Sequence, residues 1–335
     1  MTATTSLAVI GAGSWGTALA VHLGRQGHHV QLWARDPALA EAMARTRQNA
    51  PYLAGIALPA TVHPTADARV ALAGAETVVW AVPSHGTRAS LRLMAGLIGP
   101  ATLLISATKG LEHGTWARMS EVLASEAPRG CPVVALSGPS FAREVACDLP
   151  TAVCAAGTDG AAVQRVLGQF RGKRFRLYAS DDVIGVEIGG ACKNVIAIAA
   201  GVVQGLGLGH NAMAGLVTRG LAEMTRLAVA LGGRRDTLSG LSGLGDLVLT
   251  CTSGESRNQR VGRALGEGQT LAEILGGMRM VAEGIHSADG VLALGARVGV
   301  ELPIAQQMAD VLAGRTHPLA ATEALMLRPQ KQEGH

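Results

Sequence analysis

Aromatic residues and lysine are both scarce in this 335-residue chain. Only 3% of the residues are Phe, Trp or Tyr, whereas 48% are hydrophobic and 44 are glycine. The core must therefore be built from Ala, Val, Leu and Ile, which suits helices packed on a parallel sheet whose buried strands are continuous apolar runs. A chain of this length predicts two domains and has room for at least one large core.

Paired cysteine motifs and targeting signals are absent as well. The five cysteines are an odd number without a CxxC spacing, which predicts no metal site and no disulfide framework, as is usual in the reducing cytoplasm. The N-terminus leads into an apolar strand without a basic segment or cleavage site, so we expect no signal peptide. The longest apolar stretch, residues 188–218, is interrupted by Lys193, Asn194 and several glycines. We interpret it as buried helices and not as a membrane span.

The charge is only moderately unbalanced. The formal net charge is +4, and the basic residues are scattered except for the cluster RGKRFR at residues 171–176. We interpret that cluster as a solvated strand edge, because no continuous basic stripe extends from it. We therefore predict no nucleic-acid partner.

The pattern of apolar residues divides the chain into two halves. Up to about residue 180, short apolar runs alternate with amphipathic segments, which predicts an N-terminal Rossmann domain with a doubly wound parallel sheet. The predicted strands are residues 7–10, 30–33, 77–82, 103–107, 133–137 and 151–155, with helices over 16–27 and 37–48 between them.

The second half has helical spacing throughout. Helices are predicted over residues 183–204, 210–231, 256–265, 271–275, 287–298 and 301–312. The fold class is therefore α/β, with a dinucleotide-binding domain over residues 1–182 and an all-helical substrate domain over 183–335. Only the tail, residues 329–335, has the composition of a disordered segment.

A glycine-rich motif, GAGSWG, lies between the first strand and the first helix. Its spacing is G-x-G-x-x-G: Gly11 permits a tight turn, Gly13 lets the backbone approach a pyrophosphate, and Gly16 allows close packing of helix on strand. The helix N-terminus adds N–H groups and a partial positive charge for the phosphates. This position in an α/β pattern predicts a bound dinucleotide.

The residues after the second strand bear on which dinucleotide binds. An acidic residue is expected there for the adenine ribose, and Asp36 is available, but Asp36-Pro37 before a helical pattern is typical of a helix N-cap. Arg35 would then lie beside the ribose, where a guanidinium attracts a 2′-phosphate. The sequence favours NADPH over NADH, with Asp36 as a ribose ligand for NADH as the alternative.

Two loops follow later strands. Residues 106–110 (SATKG) and 137–141 (SGPSF) each come directly after an apolar run. Ligands of open parallel sheets bind beyond the carboxyl ends of strands, so both loops are candidates for the substrate site. Each could equally be a simple turn.

Lys193 is the only charged residue between Glu187 and Arg219. A buried ammonium must be paired, be neutralised, or point into a polar cavity; the alternative is a lysine that extends to solvent at a domain seam. The chain has 25 Arg and only four Lys, two of which are Lys109 and Lys193. A compact, titratable ammonium at these positions suggests chemistry, although biased codon usage would also explain the numbers.

A third polar region follows in the helical half. The glycine-rich segment GLGD exposes Asp246, a natural partner for a buried lysine, and Thr250 follows it. Ser256, Arg257 and Asn258 begin a helix, which is an anion-binding arrangement in which Arg257 can bind phosphate by two N–H groups. The alternative, helix capping, would explain the serines but not the combination of serine, arginine and asparagine.

The chemistry of a carbonyl reductase for a phosphorylated substrate fits these residues. Lys193, tuned by burial and by Asp246, would donate a proton to the carbonyl oxygen. Lys109 would add positive charge, and Arg257 with Asn258 would anchor the phosphate so that it orients the carbonyl. The cofactor would carry the hydride.

Eight motifs in order resemble the bacterial NAD(P)-dependent glycerol-3-phosphate dehydrogenases. They are GAGSWGTALA, WAR, SATKGLE, LSGPSFA, ACKN, GLGDL, SRN and VAEG, spread over roughly residues 6–325. The resemblance implies reduction of dihydroxyacetone phosphate to sn-glycerol 3-phosphate for phospholipid synthesis, with NADP or NAD as cofactor. It also implies a cytoplasmic homodimer.

The resemblance assigns roles to individual residues. It implies that Lys193 is the proton donor and acceptor in the substrate site, that Lys109 lies near substrate and cofactor, and that Asp246, the partner of the catalytic lysine, lines the substrate site. The further residues implied to line the substrate site are Gly138, Ser140, Ser256, Arg257 and Asn258. Those implied to contact the dinucleotide, besides the loop glycines and Lys109, are Ser14, Trp15, Arg35, Ala142, Arg257, Val281 and Glu283.

Two other classes of protein fit part of the pattern. A β-hydroxyacid or 6-phosphogluconate dehydrogenase would keep the role of Lys193 but have a different anion site. A non-enzymatic dinucleotide sensor would keep GAGSWG but would not need Lys193 and Asp246 together.

Overall fold

The computed structural model describes residues 5–278, 282–330 and 332. Its N-terminal part is an eight-stranded sheet, and its C-terminal part is helical. The strands are β1 (Ser6–Ile10), β2 (His29–Trp33), β3 (Val62–Thr65), β4 (Thr77–Trp80), β5 (Leu103–Ser106), β6 (Val133–Ser137), β7 (Thr151–Ala156) and β8 (Phe175–Ser180).

Helices cover both faces of the sheet and form the second domain. Those of the sheet domain are α1 (Ser14–Arg25), α2 (Pro37–Thr46), α3 (Ala50–Leu53), α4 (Ala68–Leu72), α5 (Ser84–Met94), α6 (Met119–Glu126), α7 (Ala142–Ala146) and α8 (Gly160–Phe170). The helical domain contains α9 (Val183–Gly205), α10 (Gly209–Ala230), α11 (Arg235–Ser239), α12 (Asp246–Thr252), α13 (Arg257–Gly266), α14 (Leu271–Gly276), α15 (Glu283–Arg297), α16 (Pro303–Leu312) and α17 (Pro318–Met326). Short 3-10 and π-helical turns lie at Ala95–Leu97 and Leu241–Gly245.

The strand order is β3-β2-β1-β4-β5-β6-β7-β8, and the first six strands are parallel. This is the Rossmann order, in which the direction of winding reverses between β1 and β4. Separate apolar clusters pack α1 and α8 on one face and α4, α5 and α6 on the other. The predicted fold class, a Rossmann domain followed by an all-helical domain, is confirmed.

The last two strands depart from the predicted all-parallel sheet. β7 pairs with β6 in the antiparallel direction, and β8 runs parallel to β7. The connection between β6 and β7 contains only the five-residue α7. At about 1.5 Å per residue such a helix is too short to return the chain along the sheet, as a parallel crossover requires.

Two strands were not predicted, and both are edge strands. β3 reads VHPT, with a single fully buried residue, and β8 reads FRLYAS, with Arg176 and Tyr178 exposed. The basic cluster at residues 171–176 runs into β8, which confirms that it lies at a strand edge. Neither edge strand has the continuous apolar run by which the central strands are recognised.

The helical domain is built around α9. This helix packs against α10, α12, α13, α15 and α16, and 19 of its 23 residues are buried. By length and hydropathy alone α9 could cross a membrane, but 89% of its apolar window is buried inside the protein. It is therefore the core helix that the interrupted apolar stretch predicts.

The other predicted helices correspond to α1, α2, α10, α13, α14, α15 and α16, with ends that differ by a few residues. β8 ends at Ser180 and α9 begins at Val183. The tail predicted to be disordered lies partly outside the described residues.

Candidate active site

The glycine-rich loop connects β1 to α1 in the predicted form. Gly11 has a φ of +112°, and a Cβ there would lie 2.7 Å from the carbonyl oxygen of Ala81. A Cβ on Gly16 would collide with the carbonyl oxygen of Gly11, so the helix can approach the loop only because residue 16 is glycine. At Gly13, the N-cap of α1, no atom lies within 4 Å of the Cβ position. The loop therefore leaves room at the start of α1, where a dinucleotide pyrophosphate would fit.

Ser14 and Trp15 fasten this loop to neighbouring segments. The Ser14 hydroxyl donates to the carbonyl of Tyr52 (2.7 Å). The indole N–H of Trp15 donates to the carbonyl of Ala107 (3.1 Å), at the end of β5. The two side chains thus link the first βα turn to α3 and to the residue that follows β5.

Asp36 is the N-cap of α2, as the capping interpretation predicts. Its carboxylate accepts a hydrogen bond from the N–H of Ala38 (2.9 Å), and Pro37 occupies the first helical turn. Arg35 is exposed just beyond the end of β2. The guanidinium of Arg35 is therefore accessible to a ligand, whereas the carboxylate of Asp36 is already hydrogen-bonded to the N-terminus of α2.

A buried carboxylate joins the two predicted catalytic lysines. Lys193, on α9, donates from Nζ to Oδ1 of Asp246 (2.5 Å) and to the Thr250 hydroxyl (2.9 Å). Lys109, just after β5, donates to Oδ2 of the same carboxylate (2.9 Å). Asp246 is 1% exposed and Lys193 is 6% exposed. The structure therefore places one anion between two cations from different domains.

Burial sets the protonation of this cluster. It lowers the pKa of Lys193 to about 8, with Lys109 acting in the same direction and Asp246 opposing it. Burial alone would raise the pKa of Asp246, but the two neighbouring ammonium groups outweigh it and the net shift is downward. Asp246 thus remains a carboxylate while Lys193 can gain or lose a proton near neutral pH.

The two loops predicted at the sheet edge meet at Lys109. Its ammonium also donates to the carbonyl of Gly138 (2.7 Å) and to the hydroxyl of Ser140 (3.2 Å). Gly138 has a φ of +134°, and a Cβ there would lie 3.0 Å from the Cα of Val153. The turn that presents its carbonyl to Lys109 therefore requires glycine.

Two local features position the catalytic cluster. The π-helical turn Leu241–Gly245 leads directly into α12 and places Asp246 at its first position. α9 is fastened to the sheet domain by Glu187, which accepts from Arg118 (2.8 Å) and from the backbone N–H of Ser120 (2.8 Å). Lys193 lies six positions after Glu187, so this contact fixes the helix less than two turns before the catalytic lysine.

The predicted anion site lies at the N-terminus of α13. Ser256 is its N-cap, and the hydroxyl accepts from the N–H of Gln259 (3.2 Å). Arg257 is half-buried, and burial lowers the pKa of its guanidinium while Glu283 acts in the opposite direction. The anion site therefore combines a helix N-terminus with a partly desolvated cation.

Asn258 makes hydrogen bonds inside the protein that its predicted role in the anion site does not suggest. It is buried, donates to Oδ1 of Asn194 (2.9 Å), and accepts from the backbone N–H of Gly284 (3.0 Å). These bonds use its oxygen and its amide nitrogen, which has a second N–H to donate. Asn258 thus connects α13 to α9 and α15.

Two of the remaining predicted cofactor residues, Glu283 and Ala142, lie at helix N-termini. Glu283 is the first residue of α15, and its Oε2 accepts from the hydroxyl of Ser84 (2.9 Å), at the start of α5. Ala142 is the first residue of α7. Val281 lies outside the described residues.

Three further residues contact the predicted set. Thr250, which the sequence analysis names after Asp246 without giving it a role, lies four residues after it on α12, a spacing that puts both on one helix face. Asn194 directly follows Lys193 and could have been noted for that reason. Ser84 follows the end of β4, at the sheet edge where the other loops were sought. Among the described residues, no group of three His, Cys, Asp or Glu side chains could hold a metal ion.

Comparisons with known proteins show the family of this chain. Residues 6–163 match the family model for the N-terminus of NAD-dependent glycerol-3-phosphate dehydrogenase, and residues 182–323 match the model for its C-terminus. A protein of Rhodospirillum rubrum named glycerol-3-phosphate dehydrogenase (NAD(P)+) is 51% identical over 328 residues, covering 98% of this chain and 94% of its own. One of Acidobacterium capsulatum with the same name is 50% identical, covering 98% and 99%.

A solved structure is similar over the whole fold. The crystal structure of glycerol-3-phosphate dehydrogenase from Coxiella burnetii superposes with a TM-score of 0.93 at 41% sequence identity, covering 97% of this chain and 99% of that one. Both domains and their order along the chain are matched. This protein belongs to the NAD-dependent glycerol-3-phosphate dehydrogenase family.

Proposed function

We propose that this protein interconverts dihydroxyacetone phosphate and sn-glycerol 3-phosphate with NADPH or NADH. The observation that carries the proposal is the cluster of Lys193, Asp246 and Lys109. The helices that carry Lys193 and Asp246, α9 and α12, pack against α13, whose N-terminus is the predicted anion site. A dinucleotide sensor would have no use for a buried, titratable lysine held in this way. We assign residues 1–182 to cofactor binding and residues 183–335 to completion of the substrate site.

Lys193 acts as the general acid in reduction. When bound, the nicotinamide supplies the hydride that reaches the carbonyl carbon. Negative charge then develops on the carbonyl oxygen, and Lys193 transfers a proton to it. In the reverse direction neutral Lys193 accepts the hydroxyl proton of glycerol 3-phosphate. A pKa near 8 allows both roles at physiological pH.

The other residues hold the reacting groups in place. Asp246 orients the ammonium of Lys193, and Lys109 contributes a second positive charge near the developing oxyanion. Arg257 binds the substrate phosphate together with the N-terminus of α13, so that binding energy remote from the carbonyl orients it. Asn258 positions Asn194 and the start of α15 and uses its second N–H for the phosphate.

Membership of this family also bears on the cellular role. We place the enzyme in the cytoplasm as a soluble homodimer whose product supplies phospholipid synthesis. The burial of the apolar helix α9 and the free thiols of the five cysteines support a soluble protein in a reducing compartment.

Replacing Lys193 should remove turnover and leave cofactor binding. Lys193→Met keeps a chain of similar length but has no proton to donate, so kcat for dihydroxyacetone phosphate reduction should fall by about 10²–10⁴-fold or more. The matched control is Lys173→Met, an exposed lysine outside the site, which should leave kcat unchanged. Near-normal kcat in Lys193→Met would remove it from the proton-transfer role.

Arg257 should determine selectivity for a phosphorylated ketone. NADPH oxidation by the wild type should be rapid with dihydroxyacetone phosphate and much slower with dihydroxyacetone or a β-keto acid. Arg257→Ala should raise KM for the phosphorylated ketone at least tenfold, since a hydrogen bond to a charged group contributes about 1.5–3 kcal/mol. Arg260→Ala, one turn along α13 and exposed, serves as the control. Selectivity that survives in Arg257→Ala would place the phosphate elsewhere, and no oxidation with any ketone would favour a sensor.

Arg35 should distinguish the two cofactors. Asp36 is already used as a helix cap, so Arg35 is the residue available to the ribose 2′-phosphate. Arg35→Ala should therefore weaken the binding of NADPH more than that of NADH. The difference should be about 1 kcal/mol or more, the contribution of a charge-assisted contact. The measurement is kcat/KM for both cofactors, with Arg45→Ala on α2 as the control. Equal losses for both cofactors, or a wild type that strongly prefers NADH, would contradict this role for Arg35.

A further inference from the structure

Asn49 is a polar side chain buried directly against the glycine-rich loop. It is the N-cap residue of α3, lies 37 positions beyond Ala12 in the chain, and is 1% exposed. Its amide nitrogen donates to the carbonyl oxygen of Ala12 (2.9 Å) and to the hydroxyl of Thr17 (2.8 Å). The side chain therefore links the middle of the loop to the first turn of α1.

The orientation of this carboxamide is fixed by its partners. The carbonyl of Ala12 can only accept a hydrogen bond, so the nitrogen of Asn49 and not its oxygen must face it. The two N–H groups of that nitrogen match the two acceptors. The oxygen Oδ1 is buried and has no hydrogen-bond partner within the described part of the chain. A buried polar atom without a partner is costly and calls for an explanation.

Holding the carbonyl of Ala12 fixes the peptide plane between Ala12 and Gly13. In a trans peptide the C=O and the following N–H point in opposite directions. With the carbonyl turned toward Asn49, the N–H of Gly13 points to the opposite side of the loop. Gly13 is the N-cap of α1, where no atom lies within 4 Å of its Cβ position and where backbone N–H groups would meet a pyrophosphate.

We propose that Asn49 is a positioning residue for the dinucleotide pyrophosphate. It keeps the negative end of the Ala12 peptide turned away from the phosphates and keeps the loop in register with α1. Oδ1 of Asn49 is then left without a partner because the side chain is oriented so that both of its N–H groups donate to the loop and to the first turn of α1. This inference rests on the proposed dinucleotide site at the loop.

The pyrophosphate is common to both cofactors, which gives the proposal a distinctive signature. Loss of Asn49 should raise the dissociation constants of NADH and NADPH by the same factor and leave the ratio of the two constants unchanged. Arg35, by contrast, would change that ratio.

The test measures dissociation constants for NADH and NADPH by calorimetry without substrate. The variants are Asn49→Ala and the isosteric Asn49→Asp, which cannot donate to the carbonyl of Ala12. Both constants should rise by about fivefold to tenfold, the range for loss of hydrogen bonds of this kind. The matched control is Gln48→Ala, the exposed neighbouring residue, which should bind both cofactors normally.

The outcomes separate positioning from a purely structural role. A lowered melting temperature with unchanged dissociation constants would overturn the proposal, as would a loss confined to one cofactor. Failure of both variants to fold would assign Asn49 to stability of the loop and would also overturn it. A wild type that binds neither cofactor would contradict the proposed function itself, whereas normal binding by both the wild type and the variants would contradict this inference alone.

Discussion

The carboxylate of Asp246 between two lysines is the interaction on which the site depends. A carboxylate buried without a partner would be neutralised or would destabilise the fold, and the same holds for the ammonium of Lys193. Each group is tolerated because the other is present. Lys109 comes from the sheet domain, whereas Lys193 and Asp246 come from the helical domain, so this cluster also joins the two halves of the protein.

The architecture explains how a charged cluster can be kept in an apolar surrounding. α9 is covered by helices on nearly all sides, and it brings Lys193 to the carboxyl edge of the sheet where Lys109 and Gly138 lie. The contact of Glu187 with Arg118 fixes this helix to the sheet domain. The result is an ammonium whose pKa is lowered by burial but whose charge is retained by one carboxylate, which is what reversible proton transfer requires.

Local sequence patterns predicted those parts of the structure that depend on local forces. Central strands, the glycine-rich loop, the cap at Asp36 and the core helix α9 were all predicted from patterns within a few residues. The edge strand β3 was not, because it needs apolar residues on one face only and contains His63 and Pro64. The direction of β7 could not be predicted from the sequence either, because a buried strand has the same apolar pattern in a parallel and in an antiparallel pair. In the site, the pairing of Asn258 with Asn194 joins residues 64 positions apart, and no local spacing signals it.

The pH dependence of the reaction in its two directions tests the central claim most directly. In reduction Lys193 must be protonated, so kcat/KM for dihydroxyacetone phosphate should fall as the pH rises through about 8. In oxidation Lys193 must be neutral, so kcat/KM for glycerol 3-phosphate should rise through the same pH. Profiles that cross in this way would support a lysine tuned by burial and by Asp246. The claim would be contradicted if kcat/KM changed with pH in the same sense for both directions of the reaction. It would also be contradicted if neither value changed until the pH neared the ordinary lysine pKa of 10.5.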